Sequence, residues 1–193
     1  MDALTLLHSR NSAPKLTEPA PTGEALENML KAALRAPDHA RLQPWRFLTI
    51  QGEARARLGE LFVGAEQLRL AAAGEPPMER DACDRLAAKA LRAPLIIVVI
   101  AALKEHPKVP ALEQLLSAGC AAHGILLAAH AQGYAGIWRT GGNAYDPEVK
   151  RGLGLSETEE IVGYLYLGTL DGGYKPLKNL PVEDFCQSWT GVE

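Results

Sequence analysis

The sequence predicts one domain that mixes helices with strands, and three observations point to this class. A continuous run rich in Ile and Val, residues 93–103, is typical of a strand buried on both faces. Small apolar residues at 109–132 suit a helix surrounded by protein. The 193 residues, of which 47% are hydrophobic, are enough for a substantial core, and we expect a single domain over residues 1–193.

The first half of the chain carries the signals of four helices and one strand. Asp2 and Thr22 can each act as a helix N-cap, and Pro37 ends the second helix because the residue before a proline avoids the helical region. Alternating apolar residues that stop at a glycine predict the strand. The predicted helices cover residues 2–10, 22–36, 53–73 and 78–91, and the predicted strand covers residues 45–52.

The sequence of the second half of the chain predicts the buried strand and then the long helix. Two further strands follow, with a short helix between them. Gly133 can end the long helix as its C′ residue. The predicted ranges are 93–103, 109–132, 134–142, 146–155 and 159–170. In the last strand the alternation predicts two opposite faces, one with Val162, Tyr164 and Tyr166 and the other with Ile161, Leu165 and Leu167.

Composition excludes several classes of function. A formal net charge of −3 and an isoelectric point near 6.0 argue against nucleic acid or an anionic membrane as a partner. No run reaches the roughly 18 apolar residues of a membrane span, and Asp2 lies where a signal peptide would carry positive charge, so we expect a cytoplasmic protein. The three cysteines are expected to be free and buried, and the five histidines share no metal-ligand spacing.

The common catalytic templates, including phosphate-binding loops and nucleophile elbows, find no match in this sequence. What remains is three clusters of cations and polar residues at the ends of predicted elements, at residues 10–12, 35–39 and 138–140. Each cluster alone is explained by helix-dipole interactions, turn formation or surface charge. Together they can form a site with several guanidinium groups, which suits bidentate binding of a phosphate and indicates a phosphorylated cofactor.

Four ordered blocks of the sequence resemble the flavin-dependent nitroreductase family, and most closely its short YdjA-like members. The block MDALTLLHSRNSAPKL is similar to the family's Arg-Arg-Ser flavin motif, and ALRAPDHARLQPWRFLTI resembles its block around Gln-Pro-Trp-x-Phe. The block SAGCAAHGILLAAHAQGYAGIWRTG resembles the family's core helix and the Trp-Arg strand end that follows it. The fourth block, EIVGYLYLGT, lies near the end of the chain.

The resemblance implies an α+β fold, with a mainly antiparallel central sheet flanked by helices and a long buried core helix. It also implies an intertwined homodimer with FMN at the subunit interface. The tail from about residue 171 to 193 carries several apolar residues, and we expect it to pack on the partner subunit.

The resemblance further implies which residues bind the cofactors. Those assigned to FMN are Arg10, Asn11, Ser12, Lys15, Arg35, His39, Trp138, Arg139 and Thr140. Those assigned to NAD(P)H are Ala128, Ala129, His130, Ala131, Gln132 and Gly133. We expect Arg35 and Arg139 to share the phosphate, and Lys15 or Arg10 to supply the positive charge near the N1 and O2 atoms of the flavin. No side chain is expected to act as acid or nucleophile, because a flavin performs the chemistry itself.

The leading hypothesis is an FMN-dependent oxidoreductase that transfers a hydride from NAD(P)H to a nitroaromatic, quinone or similar acceptor by a ping-pong mechanism. Two residues depart from the family pattern. Asn11 replaces the second motif Arg, which removes a positive charge beside the ring, and His39 stands where many relatives have Asn. Two alternatives therefore stay open: a flavin-binding carrier or sensor with little turnover, and a dimeric scaffold with a vestigial site.

Overall fold

The computed structural model of the chain describes residues 2–191, and its elements follow the predicted order. The helices are α1 (Ala3–Ser9), α2 (Gly23–Ala33), α3 (Ala54–Ala72), α4 (Arg80–Ala87), α5 (Ala111–Ala131), α6 (Gly142–Tyr145) and α7 (Pro147–Gly152). The strands are β1 (Leu16–Thr17), β2 (Trp45–Gln51), β3 (Leu95–Ala102), β4 (Ala135–Arg139) and β5 (Glu159–Leu170). Three short 3-10 turns cover His39–Arg41, Ala88–Leu91 and Val182–Asp184.

The strands form one sheet in which every pair is antiparallel within the described residues, which confirms the predicted α+β class. β3 lies between β2 and β5, and β5 also pairs with β1 and β4. The Ile- and Val-rich run is therefore a central strand, and its residues 95–101 are fully buried.

β3 supplies both halves of the core because its side chains alternate between the two faces of the sheet. The even-numbered residues from 96 to 100 pack with residues of α3 and α7 on one face. The odd-numbered residues from 95 to 99 pack with residues of α2 and α5 on the other face. The sheet is thus the middle of three layers, and the site residues on its strands divide between two separate sides.

α5 is the long core helix that the sequence predicts. Its small residues, including Ala121, Ala122 and Ala129, are buried in the cluster that joins α5 to the sheet. Gly133 follows with a φ of 82°, and the Tyr134 amide donates to the Ala129 carbonyl at 2.9 Å, so the helix ends as predicted. By length and composition α5 could cross a membrane, but it packs on α2 and the sheet in the way of a core helix.

The predicted alternation of β5 was wrong at its start. Val99 pairs with Gly163 and Ile100 pairs with Ile161, so Val162 is an extra residue that forms a bulge. Ile161 consequently shares a face with Tyr164, whereas Val162 lies on the opposite face. A bulge inserts one residue without changing composition, and a strict period of two therefore misassigns every residue before it.

Trp138 of β4 packs over this bulge. Its indole Nε1 donates to the Val162 carbonyl at 3.3 Å, which gives the bulged residue a hydrogen-bond partner. The next residue, Gly163, makes the contact possible, because a Cβ atom there would lie 2.1 Å from the same Nε1 atom. The Trp138 ring thus fixes β4 against β5 at the point where both strands approach the candidate site.

Some expectations for exposure and local structure differ from the structure. All three cysteines are free, as predicted, but they are not buried: Cys120 and Cys186 are exposed and Cys83 is half-buried. The apolar character of a cysteine does not by itself bury it. Cys120, for example, lies on the side of α5 that is exposed. α2 ends at Ala33, three residues before the predicted end, and the short elements β1 and α6 were not predicted.

The apolar tail is exposed in a single chain. Phe185 and Trp189 keep 73% and 83% of their accessible surface, which is unusual for large hydrophobic residues. Only the first part of this segment is held, since the Asp171 amide donates to the Lys15 carbonyl at 3.2 Å. Within residues 2–191 nothing covers these two side chains, and packing of the tail on a partner subunit stays a prediction.

Candidate functional site

β4 carries two predicted site residues to opposite faces of the sheet. The Trp138 side chain lies on the α5 side, where it lines an apolar groove of about 950 Å³. Arg139 is the next residue, and its side chain lies on the other side beside Tyr166 of β5. Two adjacent residues of one predicted cluster therefore belong to different cavities.

Arg139 lines two cavities that share several residues, and we refer to the two together as the cation cavity. The first has a volume of about 460 Å³, and the residues around it include Lys89, Arg92, Arg139, Thr140 and Tyr166. The second has a volume of about 380 Å³, and the residues around it include Lys15, Arg92, Arg139, Tyr166 and Asp171. Four cationic side chains thus surround a concave space in a protein whose net charge is negative.

The positive charge of the cation cavity exceeds its negative charge, because Asp171 is the one carboxylate among the described residues that line its two parts. Within residues 2–191, none of its four cations takes part in a salt bridge. The Nε atom of Arg139 is buried and has no hydrogen-bond partner in the described part of the chain. Leaving a buried donor unpaired costs about 1–3 kcal/mol, so this arrangement favours an anionic ligand that supplies the missing acceptor.

Two tyrosines form part of the cavity wall and contribute no negative charge at neutral pH. Burial raises the pKa of Tyr166, and the positive charges of Arg139 and Arg92 oppose that rise. The Arg139 guanidinium carbon lies 5.7 Å from the centroid of the Tyr166 ring, within the range of a cation–π contact. Burial also raises the pKa of Tyr164, whose hydroxyl donates to the Asn143 carbonyl at 3.0 Å.

A glycine-rich turn follows Arg139 and borders the first part of the cation cavity. Thr140 is exposed there, and Gly141 has a φ of 106°, a conformation that residues with a side chain rarely adopt. A Cβ atom at Gly141 or Gly142 would meet no atom within 4 Å, so the backbone of the turn is open to the cavity. The turn therefore offers backbone amides to a ligand held by Arg139.

The N-terminal cluster is tied to β4 and to the start of the tail. Arg10 caps the C-terminus of α1, and Ser12 is exposed. The Asn11 Nδ2 donates to the Lys175 carbonyl at 2.7 Å, and its Oδ1 accepts from the Ser12 amide at 2.8 Å. The amide of Asn11 is therefore engaged with the backbone.

Lys15 reaches the cation cavity because the segment before it is anchored to β4. The buried residue Ala13 donates its amide to the Gly136 carbonyl at 3.1 Å. This contact carries the chain past the Arg139 side of the sheet, where Lys15 lines the second part of the cation cavity. Lys15 is exposed and forms no salt bridge among the described residues.

Arg35 and His39 lie on the α5 side of the sheet, away from Arg139. Arg35 lines the apolar groove together with Trp138, so within one chain Arg35 and Arg139 do not share a cavity. His39 lies on the following loop, and its Nδ1 atom is 2.7 Å from Oε2 of Glu113 at the start of α5. A single chain thus presents two separate groups of predicted flavin residues.

The loop of His39 has an unusual backbone that is held by an acidic side chain. Ala40, Arg41 and Gln43 all have positive φ values, between 50° and 61°. The carboxylate of Asp38 accepts from the amides of Leu42 and Gln43, at 3.0 and 2.7 Å. These hydrogen bonds keep the loop closed next to the predicted ligand His39.

The predicted NAD(P)H segment is the C-terminal end of α5 and the turn after it. Ala129 is buried, and the Nε2 atom of Gln132 donates to the carbonyls of Ala25 and Ala128. The Nε2 atom of His130 lies 3.0 Å from Oγ of Ser9, and its ring contacts Tyr174 edge to face. These polar side chains already have partners within the chain, and a role for the segment in nucleotide binding stays a prediction.

Sequence reasoning missed Lys89 and Arg92, which the fold brings to Arg139. Lys89 lies in the 3-10 turn Ala88–Leu91 and Arg92 follows it directly, ahead of the buried strand β3. In the sequence they resemble the solvated charges of a polar helix end. Their position before β3 could have identified them as site residues. A cation close to the start of a central strand lies near the ends of the strands that pair with it.

The fold and the site together define the class of the protein: a three-layer α+β protein with a cavity that suits a small anionic ligand. The chain belongs to the nitroreductase family, whose model, described as "Nitroreductase family", matches residues 7–169. It is 48% identical over 169 residues to YdjA of Escherichia coli K12, a proposed NAD(P)H nitroreductase, with 88% of each chain covered.

Solved structures share the fold at low sequence identity. A nitroreductase-like protein from Bacillus cereus superimposes with a TM-score of 0.81 at 22% identity, covering 99% of this chain and 97% of that one. The FMN-dependent nitroreductase NfnB from Mycobacterium smegmatis, whose structure contains NADPH, superimposes with a TM-score of 0.73 at 19% identity and 97% coverage of both chains. These likenesses agree with the predicted nitroreductase fold.

Proposed function

We propose that this protein is an FMN-dependent oxidoreductase that transfers a hydride from NAD(P)H to an oxidised acceptor of the nitroaromatic or quinone class. The observation that carries the proposal is the cation cavity, where four cations and a buried unpaired Arg139 Nε lie beside an open glycine turn. Membership of the nitroreductase family supports the choice of FMN as the anion.

The residues around the cation cavity fit a flavin mononucleotide. Arg139, with its buried unpaired donor, suits the phosphate, and the open backbone at Gly141 and Gly142 permits close approach. Lys15 provides a positive charge for the pyrimidine edge of the ring. When bound, FMN supplies the hydride chemistry, so the side chains have only to bind, orient and shield it.

We further propose that the working unit is a homodimer in which each flavin contacts both subunits. The two groups of predicted flavin residues lie on opposite sides of the sheet in one chain, and a second copy whose Arg35 and His39 lay next to the cation cavity of the first would bring the two groups together. The groove of about 950 Å³ and the exposed apolar tail from residue 171 are the surfaces available for this contact. The chain would act as one domain over residues 1–193, in the cytoplasm where NAD(P)H is supplied.

The visible spectrum of the purified protein tests this proposal. We expect yellow protein, or colourless protein that retains FMN through gel filtration, and bleaching of the flavin when NADH or NADPH is added without oxygen. Steady-state rates with a quinone acceptor should give parallel double-reciprocal lines, as a ping-pong mechanism requires.

Matched variants separate the cation cavity from general surface charge. Arg139→Ala should lose FMN, whereas Arg57→Ala, a change at an exposed arginine of α3, should retain it. A parent protein that stays colourless after incubation with FMN contradicts the proposal. Bound flavin that neither nucleotide bleaches would favour the carrier or sensor, and the backbone-engaged amide of Asn11 in place of an arginine gives that alternative its physical basis.

A further inference from the structure

Arg92 lines both parts of the cation cavity together with Arg139, although it is not among the flavin residues that the sequence predicts. The next residue, Ala93, is buried, while Arg92 itself and Leu91 before it are exposed. The Ala93 carbonyl accepts a hydrogen bond from Nη1 of Arg55 at 2.8 Å, which fixes the backbone next to Arg92. The backbone beside Arg92 is therefore anchored, and within residues 2–191 the Arg92 side chain takes part in no salt bridge.

Arg92 and Arg139 converge on the same space from two strands. Arg92 lies three positions before Leu95, the first residue of β3, and Arg139 ends β4. β5 lies between these two strands and pairs with both. Each guanidinium lines both parts of the cation cavity, and Tyr166 of β5 is the aromatic residue that both parts share with them. Lys89 adds a third positive charge to the first part, where the side chains around the cavity include no carboxylate.

A phosphate monoester carries a charge between about −1.5 and −2 at neutral pH and accepts hydrogen bonds at three oxygens. One guanidinium satisfies only part of this requirement, and Arg35, which the sequence assigns to the same role, lines the groove on the opposite side of its own chain. Arg92 supplies the second fork of donors on the correct side of the sheet.

We propose that Arg92 binds the FMN phosphate together with Arg139 of the same chain, so that one subunit provides a two-arginine clamp for the phosphate. This inference rests on the proposed use of FMN. It adds a ligand to that function, and it assigns the phosphate to residues of a single subunit. Arg35 of the other subunit is then free to contact other parts of the flavin.

The test compares FMN with riboflavin, which lacks the phosphate, by quenching of flavin fluorescence as apoprotein is added. For Arg92→Ala we expect the dissociation constant of FMN to rise by roughly 10- to 100-fold while that of riboflavin changes less than about threefold. Arg92→Lys should lose less FMN affinity than Arg92→Ala, because it keeps the charge and loses the fork. Arg57→Ala is the control and should change neither constant.

Each outcome decides a distinct point. Equal losses of FMN and riboflavin affinity in Arg92→Ala, or no loss of either, overturn the phosphate clamp while leaving the proposed flavin function in place. A parent protein that binds neither flavin overturns the proposed function and this inference together. A steeper fall of parent FMN affinity with salt than in Arg92→Ala supports the clamp, because the variant has one fewer charge to screen.

Discussion

At the scale of single residues, Gly163 is the position where one methyl group has the largest predicted effect. A Cβ atom there would lie 2.1 Å from Trp138 Nε1 and 3.1 Å from the Arg139 carbonyl oxygen. Because Gly163 is buried in the sheet, neither neighbour can move without disturbing the β4–β5 contact. We expect Gly163→Ala to lower the free energy of unfolding by about 2–4 kcal/mol, measured by urea denaturation.

The control for this change is a glycine with free space around it. Gly64 lies in α3, and a Cβ atom there would meet nothing within 4 Å. Gly64→Ala should raise stability by about 0.5–1 kcal/mol through helix propensity. Equal stability of the parent and Gly163→Ala would show that the indole is not fixed against the bulge.

Some residues of the cation cavity could be predicted from the sequence and others could not. Arg139 and Thr140 were predicted as ligands from the resemblance, and the fold brings them to the cation cavity with Lys15. Lys89 and Arg92 were not predicted, because their meaning depends on the pairing of β3 with β5. No local pattern encodes that pairing, so the sequence presents them as ordinary surface charges.

At the scale of elements, the regular periodicities were reliable and the irregular elements were not. β3 and α5 were predicted because a long run of one residue class dominates each of them. The bulge at Val162 and the four-residue helix α6 were missed, because one inserted residue and one turn leave no periodic signal. β5 is the element where this matters most, since its two faces line different layers.

The first residue of β5 forms an ion pair that bridges β3 and reaches β2. Arg46 of β2 donates to both carboxylate oxygens of Glu159, at 2.7 and 2.8 Å, and the Ser156 amide donates to Glu159 Oε2 at 2.9 Å. The hydrogen bonds from Arg46, followed by those from Ser156, lower the pKa of Glu159 from 4.5 to about 2, against the opposing effect of its burial. The ion pair therefore links β2 to β5 across the strand β3 that lies between them.

Glu159→Gln should reduce the free energy of unfolding by about 1–2 kcal/mol at pH 7. A carboxylate whose folded pKa is lowered stabilises the fold above its unfolded pKa and loses this effect as the pH falls through its folded pKa. The difference between parent and variant should therefore be constant above pH 5 and shrink between about pH 4.5 and 2. Thermal unfolding across this pH range measures it, and a difference that persists at pH 2 would contradict the assignment.

At the scale of the whole molecule, the described residues leave two apolar surfaces uncovered, and this supports the proposed assembly. The groove beside α5 and the tail are both apolar and exposed, and the two groups of flavin residues face away from each other. The second copy proposed above would cover the apolar surfaces and bring the two groups of residues together. This arrangement was predicted from the family resemblance and from the apolar tail, because a single sequence shows which residues are apolar but not which of them stay uncovered.

The tail provides the sharpest test of assembly. Phe185→Asp combined with Trp189→Asp places two charges on its exposed apolar residues and should shift the sedimenting species towards monomer at micromolar concentration. FMN affinity should fall with it, because each site would lose residues from the other subunit. The control, Lys178→Ala with Glu183→Ala, changes exposed charges of the same tail and should remain dimeric. A parent protein that sediments as a monomer contradicts the proposed assembly.

The contact between Trp138 and Gly163 also helps to fix the pairing register of β4 with β5. Along a strand, a slip of one residue exchanges the two faces, so a shifted β4 would place its indole among the cations and its guanidinium in the apolar groove. Gly163 is flanked in β5 by Val162 and Tyr164, both of which carry the Cβ atom that would clash with the ring at position 163. The close fit of Trp138 on Gly163 thus helps to keep the indole on the apolar side of the sheet and the Arg139 guanidinium on the charged side.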